Sequence, residues 1–200
     1  VLRQQLNLQV FTPLGLELLR QYELYNPEFP VVASTHTYLE LLGKDAISQS
    51  VLDYVNSAVR RELGGQTDFD LLKTPITFDL QVMHGAFLNG KINITKILGA
   101  LCEVIAHYPC DMLLLTGRPS RLPGIQAFIR KMLPLPPGRI LALQNYRTGG
   151  WYPFHKNGLI DDPKSTAAVA AMLCLLCAHH SVPNFYFRSS ALKPYSTIKH

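Results

Sequence analysis

The most informative segment of this chain is Met112-Leu113-Leu114-Leu115-Thr116-Gly117-Arg118-Pro119-Ser120-Arg121-Leu122-Pro123-Gly124. Its first four residues form a short continuous apolar run, which is typical of a strand that is buried on both faces. The glycines and prolines that follow predict a turn. Apolar residues at i, i+3, i+4 and i+7 from Ile125 then predict a helix. The segment therefore predicts a strand, a turn and a helix in immediate succession.

Further helices and strands are predicted on both sides of this segment. Helical spacing of apolar residues indicates helices over 12–26, 46–63, 95–107 and 163–179. The apolar stripes of the first two are expected to be core faces, and in the third Ile97, Leu101, Val104 and Ile105 share one face. Short strands are predicted over 76–82 and 140–143. Asn89-Gly90 marks either a hairpin or the end of a short helix. This order predicts an α/β fold with a mostly parallel sheet.

The composition excludes several classes of protein. The chain has 200 residues, of which 48% are hydrophobic and 16% charged, against about 25% charged in an average protein. These values exclude a disordered, collagen-like or coiled-coil chain. They also indicate that something else covers part of the surface. The longest apolar run, 167–178, is shorter than the ~20 residues of a membrane span, and the first residues do not resemble a signal peptide.

Positive charge is concentrated in the middle of the chain. Residues 1–111 carry 8 basic and 12 acidic residues, whereas residues 112–165 carry 8 basic and only 2 acidic residues. A net charge of +6 over the middle segment favours anions, whether nucleotide phosphates, nucleic acid or an acidic protein partner.

Gly117 and its neighbours are the candidate ligand-binding residues. In open α/β sheets, ligands bind beyond the carboxyl ends of strands, where the loops enter helices. Gly117 lies at such an end and has no Cβ, so that a flat or anionic ligand can approach its backbone closely. Arg118 and Arg121 flank the turn. From the pattern alone, a tight turn with two solvated arginines is the simpler interpretation.

The same residues resemble the adenosine motif of the actin, heat-shock-chaperone and sugar-kinase ATPase fold. Gly117 matches the first glycine of that motif, Ser120 its small residue, Arg121 its arginine and Pro123 its proline, while Arg118 replaces the second glycine. The resemblance implies a ribonuclease H-like half-lobe. It also implies that Gly117, Arg118, Ser120 and Arg121 contact the adenosine of ATP or ADP, which would bind with Mg²⁺ in the longer protein only.

A second segment resembles the same fold and narrows the family. Asp162-Pro163-Lys164 and the alanine-rich residues after it are similar to the start of the chaperone helix that follows the adenosine motif. From the residues alone, Asp162 is a helix cap with proline at the first helical position. Together with 113–124 and 146–154, the segment resembles the SrfB family of bacterial virulence factors. The resemblance implies a long bacterial protein, with the cytoplasm as the expected location and export to a host as an alternative.

The resemblance predicts how the chain divides into parts and limits the activity that we expect of these residues. We expect residues 1–200 to be one fragment, with a mainly helical part over 1–74, an α/β core over 75–183 and an extension over 184–200. ATPases of the actin and chaperone fold hold phosphates and Mg²⁺ with Asp-x-Gly-type hairpins, and no Asp here begins such a turn. An ATPase activity is thus conceivable for the longer protein but not for these residues alone, and no catalytic residue is identified.

An aromatic loop offers a second candidate surface. Residues 145–158 contain Tyr146, Trp151, Tyr152 and Phe154, together with basic residues and three glycines. Aromatic side chains in such a loop either contact another domain or protein partner, or stack on a planar ligand. The partners expected are the remaining domains of the same protein and an unidentified protein. Aromatic and basic residues together also suit single-stranded nucleic acid, which is the weaker alternative.

The four cysteines predict neither a disulfide framework nor a metal site. Four cysteines are too few to cross-link a chain of this length with a disulfide framework, and reduced thiols are expected at Cys102, Cys110, Cys174 and Cys177. Cys174 and Cys177 have C-x-x-C spacing but lie in an Ala- and Leu-rich helix, where cysteine acts as a small buried hydrophobe.

Overall fold

The computed structural model describes residues 1–29, 32–65, 68–108 and 110–187. The chain divides into two compact units, which we describe separately. Unit 1 contains Val1–Cys110 and Leu122–Pro134, and unit 2 contains Asp111–Arg121 and Leu135–His200. The expected division at residues 74 and 75 falls inside unit 1 and stays a prediction. Most of the expected extension over 184–200 lies outside the described residues.

Unit 1 consists of helices with one small sheet. Its helices are α1 (Leu2–Leu6), α2 (Thr12–Glu23), α3 (Tyr38–Leu42), α4 (Gln49–Glu62), α5 (Leu80–Leu88), α6 (Asn93–Ala106) and α7 (Pro123–Met132), and a π-helical turn, Asn7–Phe11, joins the first two. Strands β1 (Ser34–Thr37) and β2 (Pro75–Phe78) pair antiparallel, with Ser34 opposite Phe78. The helices predicted over 12–26 and 46–63 are therefore present, with slightly different ends.

Two groups of buried side chains form the interior of unit 1. The first joins the N-terminal helices to α3 and α4 and consists of Val10, Tyr38, Ile47, Val51 and Leu52. In the second, Tyr22 of α2 stacks on Phe87 of α5, and an added Cβ at Gly124 of α7 would overlap both rings. A glycine is required at this position because the two helices and α7 approach each other closely.

The strand predicted over 76–82 is shorter than its sequence pattern indicated. Strand β2 ends at Phe78, and the Asp79 carboxylate accepts a 2.8 Å hydrogen bond from the Val82 N–H. This carboxylate caps α5, so residues 80–82 are helical and the prediction of a strand there is wrong. Helix α5 ends before Gly90, whose φ is +68°, so Asn89-Gly90 ends a helix and does not close a hairpin.

Helix α6 buries small side chains and exposes most of its large apolar ones. Thr95 and Cys102 are the buried residues of this helix. In contrast, Ile97, Leu101 and Val104 are 72%, 50% and 55% exposed. Helix α6 packs on α7, and Gly99 and Ala100 line a groove beside Phe128 and Met132 of α7. The face that these apolar residues share therefore lies largely at the surface.

Unit 2 contains the predicted parallel strands. Strand β3 (Leu113–Leu115) pairs parallel with β4 (Ile140–Ala142), and Leu113 lies opposite Ile140. Strands β5 (His155–Lys156) and β6 (Leu159–Ile160) form an antiparallel hairpin, and α8 (Thr166–Ala178) follows. Leu114 is half exposed, so β3 is not buried on both faces as predicted. The ribonuclease H-like fold stays a prediction.

Candidate functional site

The turn after β3 is closed by its own backbone and by a buried serine. A 3₁₀ turn, Arg118–Arg121, begins directly after Gly117. The Gly117 carbonyl accepts hydrogen bonds from the N–H of Ser120 at 3.1 Å and from its hydroxyl at 2.7 Å. Ser120 is buried, so its role is to fix the shape of the turn, and its hydroxyl faces inward.

Gly117 presents an open backbone surface at the end of β3. Its φ is +81°, a conformation that residues with a Cβ rarely adopt. A Cβ built at this position would have only Pro119 Cδ within 4 Å, at 3.9 Å. The space beside the Gly117 backbone is therefore unfilled within the described residues, as close approach of a flat group requires.

The turn after β3 contacts the second segment that the sequence analysis singled out. The Arg121 guanidinium donates a 2.9 Å hydrogen bond to the Asp161 carbonyl oxygen. The hydroxyl oxygens of Thr116 and Thr166 are 2.6 Å apart, and both lie within 3.1 Å of the Pro163 carbonyl oxygen. The structure thus brings the two segments into direct contact, with three side chains linking them.

Asp162 is a capping residue, as its position in the sequence predicted. Its carboxylate accepts a 3.0 Å hydrogen bond from the Lys164 N–H at the start of the 3₁₀ turn Pro163–Ser165, which leads into α8. Pro163 is fully buried. The segment is therefore held rigidly against the turn after β3.

The structure divides the four aromatic residues of the loop into two groups. Tyr146, Trp151 and Phe154 are about half exposed. Tyr152 is only 3% exposed and packs with Ile160 and Val169, and its hydroxyl lies 2.7 Å from the Ser165 hydroxyl. The assignment of Tyr152 as a partner-binding residue is therefore wrong, because its ring fills the core of unit 2.

The cysteines are all free thiols in the structure. Cys102 and Cys177 are buried, and burial raises the pKa of the Cys102 thiol. Over the part of the chain that the structure describes, no three His, Cys, Asp or Glu side chains form a group that could hold a metal ion. Within the same residues, no helix has the length and apolar character needed to cross a membrane.

Sequence reasoning missed two features of unit 1. One is a cleft of about 580 Å³ beside α4, where Arg60 forms a 2.7 Å ion pair with Asp68. The other is the buried contact between Tyr22 and His84. No local pattern could have identified either feature, because each joins residues that belong to different elements.

The described residues form mainly helices with small two-stranded sheets, and in unit 2 a parallel strand pair ends at a glycine turn. Comparison with family models then identifies the family. The model described as "Virulence factor SrfB" matches residues 1–200, and the chain belongs to this family. A search of curated proteins and a search of solved structures each found no match.

Proposed function

We propose that unit 2 binds the adenine ring of ATP or ADP against the backbone of Gly117. The observation that carries this proposal is the open surface beside Gly117 at the carboxyl end of β3, next to a parallel strand. Ligands of α/β sheets bind at such ends, where loops leave the strands. The described residues fit a planar ring at this position, since a close approach to the backbone meets no side chain nearer than Pro119.

Arg121 supports the ring in this proposal. Its hydrogen bond to the Asp161 carbonyl fixes the guanidinium beside the turn. A planar cation can stack on an aromatic ring, and such a contact contributes about 0.5–2 kcal/mol depending on how dry the site is. Arg118 is exposed at the start of the same turn and adds positive charge for the phosphates.

These residues provide a binding surface and no hydrolytic machinery. The chain contains no Asp-x-Gly-type hairpin, and no acidic cluster for Mg²⁺ exists among the described residues. We therefore propose nucleotide binding by this part of the protein, with hydrolysis dependent on residues outside it.

Calorimetric titration of ATP and ADP into the full natural chain tests the proposal. Gly117→Val should fill the space for the ring and abolish binding, and Arg121→Ala should weaken binding about tenfold or less. Gly43→Val is the matched control, because Gly43 has a φ of +82° with no neighbour within 4 Å of an added Cβ. Arg139→Ala controls for loss of a cation from unit 2.

Two results would overturn the proposal. One is a wild-type protein that binds neither nucleotide at millimolar concentration. The other is a Gly117→Val variant that stays folded and binds as tightly as the wild type. If Gly43→Val reduces binding as much as Gly117→Val does, backbone strain explains the effect and the assignment of the site to Gly117 is wrong.

A second candidate function is protein binding by the aromatic loop. The exposed rings of Tyr146, Trp151 and Phe154 lie in a loop that also carries Arg147 and Lys156. Exposed aromatic residues beside basic ones suit a partner surface with apolar and acidic groups. Trp151 is the single tryptophan of the chain, so its fluorescence reports on the loop alone.

Fluorescence quenching separates the two functions. If the loop binds the remaining domains, adding those domains as a separate polypeptide should protect Trp151 from acrylamide and shift its emission to shorter wavelength. A double substitution, Tyr146→Ser with Phe154→Ser, should remove that protection. Unchanged quenching in the wild type would rule out this second function without affecting the nucleotide proposal.

A further inference from the structure

The tip of the hairpin of β5 and β6 is an Asn-Gly pair. Asn157 and Gly158 form the whole loop between the two strands, and their φ values are +53° and +78°. A two-residue hairpin loop with positive φ at both positions is typical of a type I′ turn, for which Asn-Gly is a preferred sequence. Asn157 is exposed. Its side-chain amide therefore lies at the surface, directly before a residue that has no side chain.

The peptide unit that joins Asn157 to Gly158 makes no hydrogen bond with any described residue. Neither the Asn157 carbonyl oxygen nor the Gly158 N–H has a partner there. The Gly158 carbonyl oxygen, in contrast, accepts hydrogen bonds from the N–H groups of Thr148 at 2.8 Å and Gly149 at 3.2 Å. The turn is thus anchored after Gly158, while the peptide unit before it can rotate without the loss of a hydrogen bond.

We propose that Asn157 is a site of spontaneous deamidation. The Gly158 nitrogen loses its proton to solvent and attacks the carbonyl carbon of the Asn157 side chain. A new C–N bond forms, the bond to the side-chain nitrogen breaks, and that nitrogen leaves as ammonia. Water then opens the five-membered succinimide ring at either carbonyl, which gives aspartate or isoaspartate. Glycine favours the attack because it has no side chain to shield the nitrogen and its backbone turns freely.

The second Asn-Gly pair of the chain is held differently. Asn89 is also exposed, and Gly90 has a φ of +68°. Here the Gly90 N–H donates a 3.1 Å hydrogen bond to the Phe87 carbonyl oxygen, and the Lys91 N–H donates one of 2.9 Å to the Ala86 carbonyl oxygen. These two bonds close the end of α5. The Gly90 nitrogen must therefore give up a hydrogen bond before it can attack, and the Gly158 nitrogen need not.

Deamidation of Asn157 changes both the charge and the backbone of the aromatic loop. Residues 112–165 carry 8 basic and 2 acidic residues, and the new carboxylate raises the acidic count to 3. The isoaspartate product also inserts an extra carbon atom into the main chain before Gly158. This insertion displaces the Gly158 carbonyl oxygen from the N–H groups of Thr148 and Gly149, so we expect the hairpin to loosen.

Incubation of the full natural chain at mildly alkaline pH, followed by trypsin digestion and mass spectrometry, tests the proposal. Trypsin releases peptides 157–164 and 74–91, each of which contains a single Asn. In the folded protein, Asn157 should deamidate at least about fivefold faster than Asn89, because one hydrogen bond protects Gly90. In concentrated urea the two rates should be equal, since both pairs are then free. Equal rates in the folded protein, or faster reaction at Asn89, would overturn the proposal.

The products identify the attacking atom. Peptide 157–164 should accept a methyl group from an isoaspartyl methyltransferase, because ring opening of the succinimide yields isoaspartate and direct hydrolysis of the amide does not. Asn157→Gln should abolish both the mass change and the methylation of this peptide, since the longer side chain closes a ring slowly. Asn89→Gln is the matched control and should leave both unchanged. Deamidation of Asn157 without methylation would contradict attack by the Gly158 nitrogen.

Discussion

The hydroxyl oxygen of Tyr22 lies 2.8 Å from Nδ1 of His84, although 62 residues separate the two in the chain. The same hydroxyl accepts a hydrogen bond from the backbone N–H of Gly124. Both side chains are buried. Helices α2, α5 and α7 meet at this point, so the polar contacts help to determine how these three helices pack.

Unit 1 should lose stability in mild acid because of His84. Burial lowers the pKa of His84 below its ordinary value of 6.5. The unfolded chain therefore binds the proton more readily than the folded chain does. The neutral His84 ring makes its full contribution to the free energy of unfolding above pH 6.5. That contribution is lost as the pH falls through the pKa of His84 in the folded state. The loss has a slope of at most about 1.4 kcal/mol per pH unit.

Urea unfolding at a series of pH values measures this slope. His84→Asn retains a polar side chain beside Tyr22 and cannot take up the proton, so the variant should show a shallower loss of stability between neutral pH and pH 5. His107→Asn is the control, because His107 is exposed. If the His84→Asn and wild-type profiles run parallel over this range, His84 is not the responsible group.

Gly124→Ala should destabilise unit 1. The added Cβ would overlap the Tyr22 hydroxyl and the Phe87 ring, which are held in place by their mutual stacking. Overpacking of this kind costs about 1–3 kcal/mol. Gly85→Ala is the matched control within α5, because its added Cβ meets no atom within 4 Å. The control should be neutral or stabilising by up to about 1 kcal/mol, since alanine favours helix. Equal effects in thermal unfolding would contradict the packing described for Gly124.

Tyr152→Phe should reduce the stability of unit 2 by about 0.5–1.5 kcal/mol, since it removes the hydrogen bond between Tyr152 and Ser165. Tyr146→Phe, at a half-exposed ring of the same loop, should change stability by less than about 0.5 kcal/mol. Chemical denaturation of both variants checks the difference. If the Tyr152→Phe and Tyr146→Phe variants are equally stable, the Tyr152 ring is exposed like the other rings of the loop.

Local sequence patterns predicted where helices and strands lie better than they predicted which faces of those elements are buried. The Asp162 cap and the strand at Leu113–Leu115 follow from residues next to one another in the chain, and both are present. The buried face of α6 could not be found in the same way. Ile97, Leu101 and Val104 form its apolar stripe and are largely exposed, whereas Thr95 and Cys102 are buried, because the covered side of a helix is set by the elements that pack on it.

The same limit applies to the candidate site. The sequence identified Gly117 and the segment after Asp161 separately, and the contact between Thr116 and Thr166 depends on the tertiary fold. Among the aromatic residues of the loop, nothing in the sequence distinguishes buried Tyr152 from exposed Trp151 next to it. Their opposite environments follow from the hairpin of β5 and β6 and from the start of α8, which enclose the Tyr152 ring.

The most direct test of nucleotide binding at Gly117 is an amide spectrum of the full natural chain labelled with ¹⁵N at glycine. Gly117→Ala assigns the Gly117 signal, and ADP is added up to millimolar concentration. The proposal predicts that the Gly117 signal shifts in a saturable manner while the Gly43 signal stays fixed. A Gly117 signal that does not move, or moves only together with the Gly43 signal, would contradict an adenine site at the end of β3.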